Sequence, residues 1–179
     1  MTKKELLNQL YEKFSDCLKC PLSKSRTKIV FGSGNCDAKI IFIGEAPGAE
    51  EDKSGEPFVG KSGKFLREQM QAQSIDVSKI YITNTVKCRP PKNRLPKNKE
   101  SNICTALLLL PQIDIVKPEI IVTVGNHAAK QIKTLYNGDK ETTIKIIHLP
   151  HPAYIIRNPK RLKRFQEILK KISSEANKT

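Results

Sequence analysis

The chain has 179 residues, room for one domain with a real core, and its 32 Lys and Arg against 18 Asp and Glu give a net charge of +14. No apolar run approaches a membrane span, and the amino terminus, with Glu5 and Glu12, lacks the apolar segment of a secretory signal. A membrane protein or an exported one is therefore not expected; the expectation is a cytoplasmic chain with an anionic partner and five cysteines kept as thiols.

The first segment, MTKKELLNQLYEK, is expected to form an amphipathic helix. Thr2 and Glu5 fit a capping box, and Leu6, Leu7, Leu10 and Phe14 share one face. Cys17 and Cys20 follow as a C-x-x-C pair. Four runs rich in β-branched residues come next, at 39–44 (KIIFIG), 80–84 (IYITN), 119–124 (EIIVTV) and 144–149 (IKIIHL). Helical segments are expected at 61–73, 99–116, 125–136 and 158–174, the last with Leu162, Phe165, Ile168, Leu169 and Ile172 on its apolar face. Strands alternating with helices predict an α/β fold. Its form would be a three-layer α/β/α sandwich around a central four-stranded parallel sheet, with 1–179 as a single domain.

Parallel sheets bind ligands beyond the carboxyl ends of their strands. Strand 39–44 runs into GEAPGAEED, strand 80–84 into NTVKCRPPKNR, and strand 144–149 into PHPAYIIRNP. The fold would gather these polar loops on one rim, which makes a site there the natural expectation. Between them, GEPFVGKS at 55–62 fits the phosphate-loop pattern G-x-x-x-x-G-K-[ST]. That loop needs a strand running straight into its first glycine. Here Glu50, Glu51, Asp52, Lys53 and Ser54 precede Gly55, and three carboxylates would repel a triphosphate. Nucleotide hydrolysis is accordingly disfavoured.

Cys88 and Cys104 lie beyond the second strand. No second tight pair is present, so a zinc ribbon does not fit. Four thiolates from distant segments suit either tetrahedral zinc or an iron–sulfur cluster, and spacing leaves both open. Cys36, in GSGNCDAK, has no partner at useful spacing and is taken as a free thiol. From Lys87 to Lys99 there are six basic residues (Lys87, Arg89, Lys92, Arg94, Lys97, Lys99) and no acid. A second acid-free cluster, Arg157 to Arg164, follows His151. Both are expected to track phosphates.

Taken together, GEAPGAEED at 44–52, PFVGKSGKFL at 57–66, NTVKCRPPKNR at 84–94, HPAYIIRNP at 151–159 and the cysteine pattern closely resemble the family 4 uracil-DNA glycosylases. The similarity covers nearly the whole chain in the right order. It implies a monofunctional enzyme that flips deoxyuridine out of double- or single-stranded DNA and hydrolyses its N-glycosidic bond. Free uracil and an abasic site would result, as in base excision repair. It also implies a 4Fe-4S cluster on Cys17, Cys20, Cys88 and Cys104. A monomer is expected, with no membrane partner.

The same resemblance assigns roles. Phe58 would offer an aromatic face to the flipped base. Asn84 would match O4 and N3–H of uracil with one amide, a pattern cytosine inverts. His151 would donate to O2 as negative charge develops there. Gly44, Glu45 and Ala46 would line the pocket. Ala46 falls where other branches of the superfamily carry a water-activating group, so Glu45 or Asn93 is expected to hold the water. Glu51 is a candidate for excluding the 5-methyl of thymine. The loop Ala153–Arg157 would insert Tyr154 or Ile155 into the duplex gap and set Arg157 on a phosphate. His127 and His148 receive no role. No lysine is matched to a Schiff-base function. Segment 85–99 holds no histidine, which argues against the superfamily variant that bonds covalently to the abasic sugar. A rival of another class is a non-catalytic iron–sulfur or zinc protein that only binds nucleic acid.

Overall fold

The computed structural model describes residues 1–136 and 143–176. Its strands are β1 (Ser33–Gly34), β2 (Ile40–Gly44), β3 (Ile80–Asn84), β4 (Ile120–Val124) and β5 (Lys145–Leu149), in the order β1-β3-β2-β4-β5. Strands β2 to β5 are parallel, as the alternating pattern requires. The expectation of four strands needs one correction, because β1 adds a fifth, antiparallel edge through Ser33↔Ile82 and Gly34↔Tyr81. Two residues without an apolar side chain carry no strand signal; β1 exists only because β3 offers it a partner.

The helices are α1 (Lys3–Phe14), α2 (Ala49–Ser54), α3 (Lys61–Ala72), α4 (Asn98–Cys104), α5 (Leu110–Val116), α6 (Asn126–Tyr136), α7 (Pro152–Arg157) and α8 (Leu162–Ala176). Alternation along β2 shows how they divide. Ile41 and Ile43 pack into a layer with Leu7, Ile113 and Ile132 from α1, α5 and α6. Ile40 and Phe42 pack into the opposite layer with Leu66, Ile155, Phe165 and Leu169 from α3, α7 and α8. A sheet buried on both faces by helices is the three-layer sandwich. The capping box on α1 is present, Thr2 Oγ1 accepting from Glu5 N while Glu5 accepts from Thr2 N.

Three helical segments differ from the expectation. Segment 99–116 divides into α4 and α5 around a π turn at Thr105–Leu109. Pro111 sits in the first turn of α5; it has no N–H for the carbonyl four residues back, and a widened turn accommodates its ring. Residues 152–157, expected as a loop, form α7 with Pro152 in its first turn. Residues 49–54 form α2, which ends on Gly55 at φ 85°. GEPFVGKS is thus entered from a helix, not from a strand.

Candidate active site

The parallel register sets Gly44 beside Asn84 at the carboxyl ends of β2 and β3. Asn84 is 2% exposed, and among the described residues no protein group hydrogen-bonds its carboxamide. A Cβ built on Gly44 would collide with Asn84 Oδ1 and stand 2.6 Å from Phe58 Cζ. The absent side chain at position 44 therefore leaves the floor on which ring and amide meet. Phe58 holds a left-handed backbone, φ 56°, a strain of about 1–3 kcal/mol for a bulky residue. Two clamps maintain it. Glu51 accepts from the amides of Gly48, Val59 and Gly60 at 3.1, 3.0 and 2.8 Å. Arg67 donates to the carbonyls of Phe58 and Pro57 at 3.3 Å each. Glu51, expected near a thymine methyl, spends its carboxylate on these three amides and acts as a backbone clamp.

His151 is the N-cap of α7 and follows β5 at the same rim. Its Nδ1 accepts from Ala153 N at 3.1 Å. An amide only donates, so Nδ1 carries no proton and the neutral ring bears its hydrogen on Nε2. Burial first, and the Arg157 charge second, hold its pKa below 6.5. The helix terminus thus delivers a neutral imidazole with Nε2–H left free to donate.

Phe58, Asn84 and His151 line one cavity of about 510 Å³, together with Glu45, Ala46 and Asn93. Glu45 is half-buried, and burial alone raises its pKa above 4.5. Its carbonyl is tied down by Thr85 Oγ1 at 2.6 Å, which fixes where the side chain leaves the backbone. Asn93 and its neighbour Lys92 have left-handed φ of 54° and 53°. Asn93 Oδ1 accepts from Arg89 Nε at 2.8 Å, which orients the carboxamide and leaves its N–H donors and one lone pair for a ligand. A larger cavity of about 950 Å³ opens between α1 and residues 26–36. Its lining offers aromatic rings and amides (Tyr11, Phe31, Asn8, Asn35) but no histidine, and it includes none of Phe58, Asn84 and His151, which meet only at the rim cavity.

Cys17, Cys20, Cys88 and Cys104 line a third, very small cavity of about 20 Å³. Among the described residues no three His, Cys, Asp or Glu side chains close to the spacing of a single metal ion. Burial pushes the Cys88 thiol up to about 12 and the Cys104 thiol up to about 11. Arg26 Nη1 donates to Cys17 O at 2.6 Å and to Cys88 Sγ at 3.6 Å. Lys87 N donates to Cys104 Sγ at 3.3 Å.

Other expectations are corrected by burial. Ile155 is 2% exposed and packs in the α3–α8 layer, so it is not a wedge; Tyr154, 42% exposed, is the side chain presented outward. Lys87 is fully buried and cannot track a phosphate. Arg94 forms a two-pronged pair with Glu100 at 2.9 and 2.8 Å, anchoring the 90–97 segment to α4. By contrast Arg157, Lys160, Arg161 and Lys163 are all exposed. Neither the Glu51 clamp nor the Lys87 burial has a clear sequence signal, though Lys87 lies between Asn84 and Cys88.

Comparison with known proteins bears on all of this. A family model for the uracil DNA glycosylase superfamily matches residues 31–173. A type-4 uracil-DNA glycosylase of Thermotoga maritima is 39% identical over 88% of this chain and 86% of its own. Those of Archaeoglobus fulgidus and Sulfurisphaera tokodaii are 35% and 39% identical, covering 97% and 93% of this chain and 95% and 83% of their own. In three dimensions the chain is similar to the crystal structure of SMUG2 from Pedobacter heparinus, with a TM-score of 0.55 over 79% of this chain and 77% of that one; at 14% identity this speaks for the fold alone.

Proposed function

The chain belongs to the uracil-DNA glycosylase superfamily and excises uracil from DNA, and from that premise we propose how its rim cavity does so. The carrying observation is that Phe58, Asn84 and His151 line one cavity over the bare backbone of Gly44. A flipped uracil stacks on the Phe58 ring. The Asn84 carboxamide donates to O4 and accepts from N3–H. Cytosine inverts both groups and would leave a 2% exposed amide unpaired, a mismatch worth about 10⁴–10⁵ in discrimination.

As the glycosidic bond breaks, negative charge gathers on O2, where His151 Nε2–H donates to it. Such a donor is worth about 10²–10³ in rate. The sugar becomes electron-poor, and water attacks it. Glu45 is the group suited to hold that water and take its proton, because the carboxamide of Asn93 is not a base. Asn93 orients by donation. Lys61, on the cavity wall, is exposed; with water and not a lysine as the nucleophile, the strand is left uncut. Tyr154 fills the gap left in the duplex and Arg157 holds a phosphate.

The four cysteines fit a 4Fe-4S cluster. They are an all-sulfur donor set around one cavity, the soft ligand type that iron–sulfur clusters take. When bound, such a cluster would ionise and cross-link these thiols, and so brace the 88–104 segment against residues 17–20. Apolar layers on both faces of one sheet support 1–179 as a single domain, acting as a monomer. Among the described residues no helix is long and apolar enough to cross a membrane.

The test is release of free uracil from a uracil-containing oligonucleotide, with strands kept intact until alkali treatment. Wild type releases it and Asn84→Ala loses at least about 10²-fold. Undiminished release by Asn84→Ala would refute the assignment of the pocket.

A further inference from the structure

Lys87 belongs to neither the rim cavity nor the DNA-facing surface, yet it is among the largest fully buried side chains in the protein. A lysine is almost never buried without partners. Its partners are specific: Nζ donates to Thr83 Oγ1 at 2.5 Å and to the backbone carbonyl of Asn84 at 2.7 Å. Its own amide donates to Cys104 Sγ at 3.3 Å. Thr83 is held in turn, at 2.8 Å from Phe31 O and 3.3 Å from Gln112 Oε1, and Gln112 donates to Phe31 O and Tyr81 OH. A continuous polar chain therefore runs from the underside of the sheet to the last residue of β3.

We infer that Lys87 is a positioning residue that pins the backbone of Asn84 and ties the uracil-reading amide to the cysteine cavity. The inference rests on Asn84 reading the base, as proposed above. Asn84 has no side-chain partner of its own among the described residues, so its aim depends on its backbone. The carbonyl that fixes that backbone is capped by an amine carried three residues on, in the turn that leads to Cys88. Two donated bonds need only two N–H groups, which the ammonium and the neutral amine both possess. The device thus works in either protonation state. Any group bound by Cys88 and Cys104 would set the position of that turn, and through Nζ the aim of Asn84.

A double-mutant cycle tests this. Lys87→Met keeps the length and removes the donors. Single-turnover uracil release should fall about 10- to 100-fold while KM for DNA stays within about threefold, since no phosphate contact is touched. Added to Asn84→Ala, the same change should cost less than about threefold more, because the residue it acts through is gone. Thr83→Val, which keeps the shape of the strand residue and removes one acceptor, should lose about 3- to 10-fold with the same non-additivity, and it decides the matter if Lys87→Met does not fold. Iron and sulfide content is measured on every variant and should stay at the wild-type level in Thr83→Val. Losses that add in full, or Lys87→Met and Thr83→Val variants as fast as wild type, would overturn the inference. Should Asn84→Ala itself be fully active, the pocket assignment fails first, which separates the two outcomes.

Discussion

The rim cavity and the cysteine cavity lie on either side of the same stretch, 84–88, and are built on opposite principles. In the rim cavity the protein's own hydrogen bonds settle the geometry. Strand register sets Gly44 beside Asn84, Glu51 and Arg67 hold Phe58, and the amide of Ala153 selects the tautomer of His151. In the cysteine cavity the thiols are brought near one another but not closed on an ion, and burial keeps Cys88 and Cys104 protonated well above neutral pH. The first is preorganised by backbone; the second, on the proposed reading, would be completed by a ligand that ionises its thiols. Preorganised sites lose rate when altered, and ligand-completed sites lose structure.

That contrast can be broken by substitutions of graded effect. His151→Ala should carry the largest loss, about 10²–10³ in kcat, with the melting temperature lowered by only about 2–4 °C for the lost α7 cap; a rate within tenfold of wild type would deny the imidazole its role. Gly44→Ala comes next. Its Cβ meets Phe58 and Asn84 together, and even a 1 Å displacement costs about 10²-fold, read by uracil release and by loss of binding to free uracil. Cys88→Ser should invert the pattern. Iron content and the brown absorbance fall, and the melting temperature drops by about 4–8 °C for a loss of about 2 kcal/mol. Retained iron and stability would contradict the division.

The pH profile sharpens the comparison further. In the proposed roles, two rim groups act unprotonated. His151 sits below 6.5 through burial and Arg157, and Glu45 sits above 4.5 through burial. Both protonate as pH falls, so kcat/KM should be level at neutrality and decline on the acid side between about 6.5 and 4.5. The sign for stability agrees at His151: the unfolded chain takes up that proton more readily, so stability falls as pH drops below 6.5. The smallest effect belongs to Arg157→Ala, which should lower the salt slope of DNA binding by about 0.9 and leave single-turnover cleavage nearly intact. An unchanged slope would remove Arg157 from the phosphate path.

The frame of the fold was legible because β-branched runs and the α8 stripe obey simple periods. Segment 80–84 coincides with β3, and Phe165, Leu169 and Ile172 are all fully buried. Features that depend on partners distant in sequence were not legible. Strand β1 needs β3, and α7 is six residues opened by a proline and reads as a loop. Ile155 looked like an exposed wedge because no helix was assigned to carry it inward. Lys87 and Arg94 counted as surface charge until a fully buried Nζ and the Glu100 fork appeared. Composition reports how many charges there are, not which of them leave water.

The most direct measurement is a crystal structure of the iron-loaded protein soaked with free uracil. The base should lie against the Phe58 ring, with O4 and N3 at the Asn84 carboxamide and O2 at His151 Nε2. Uracil bound instead in the larger cavity beside α1, with the rim cavity empty, would contradict the account.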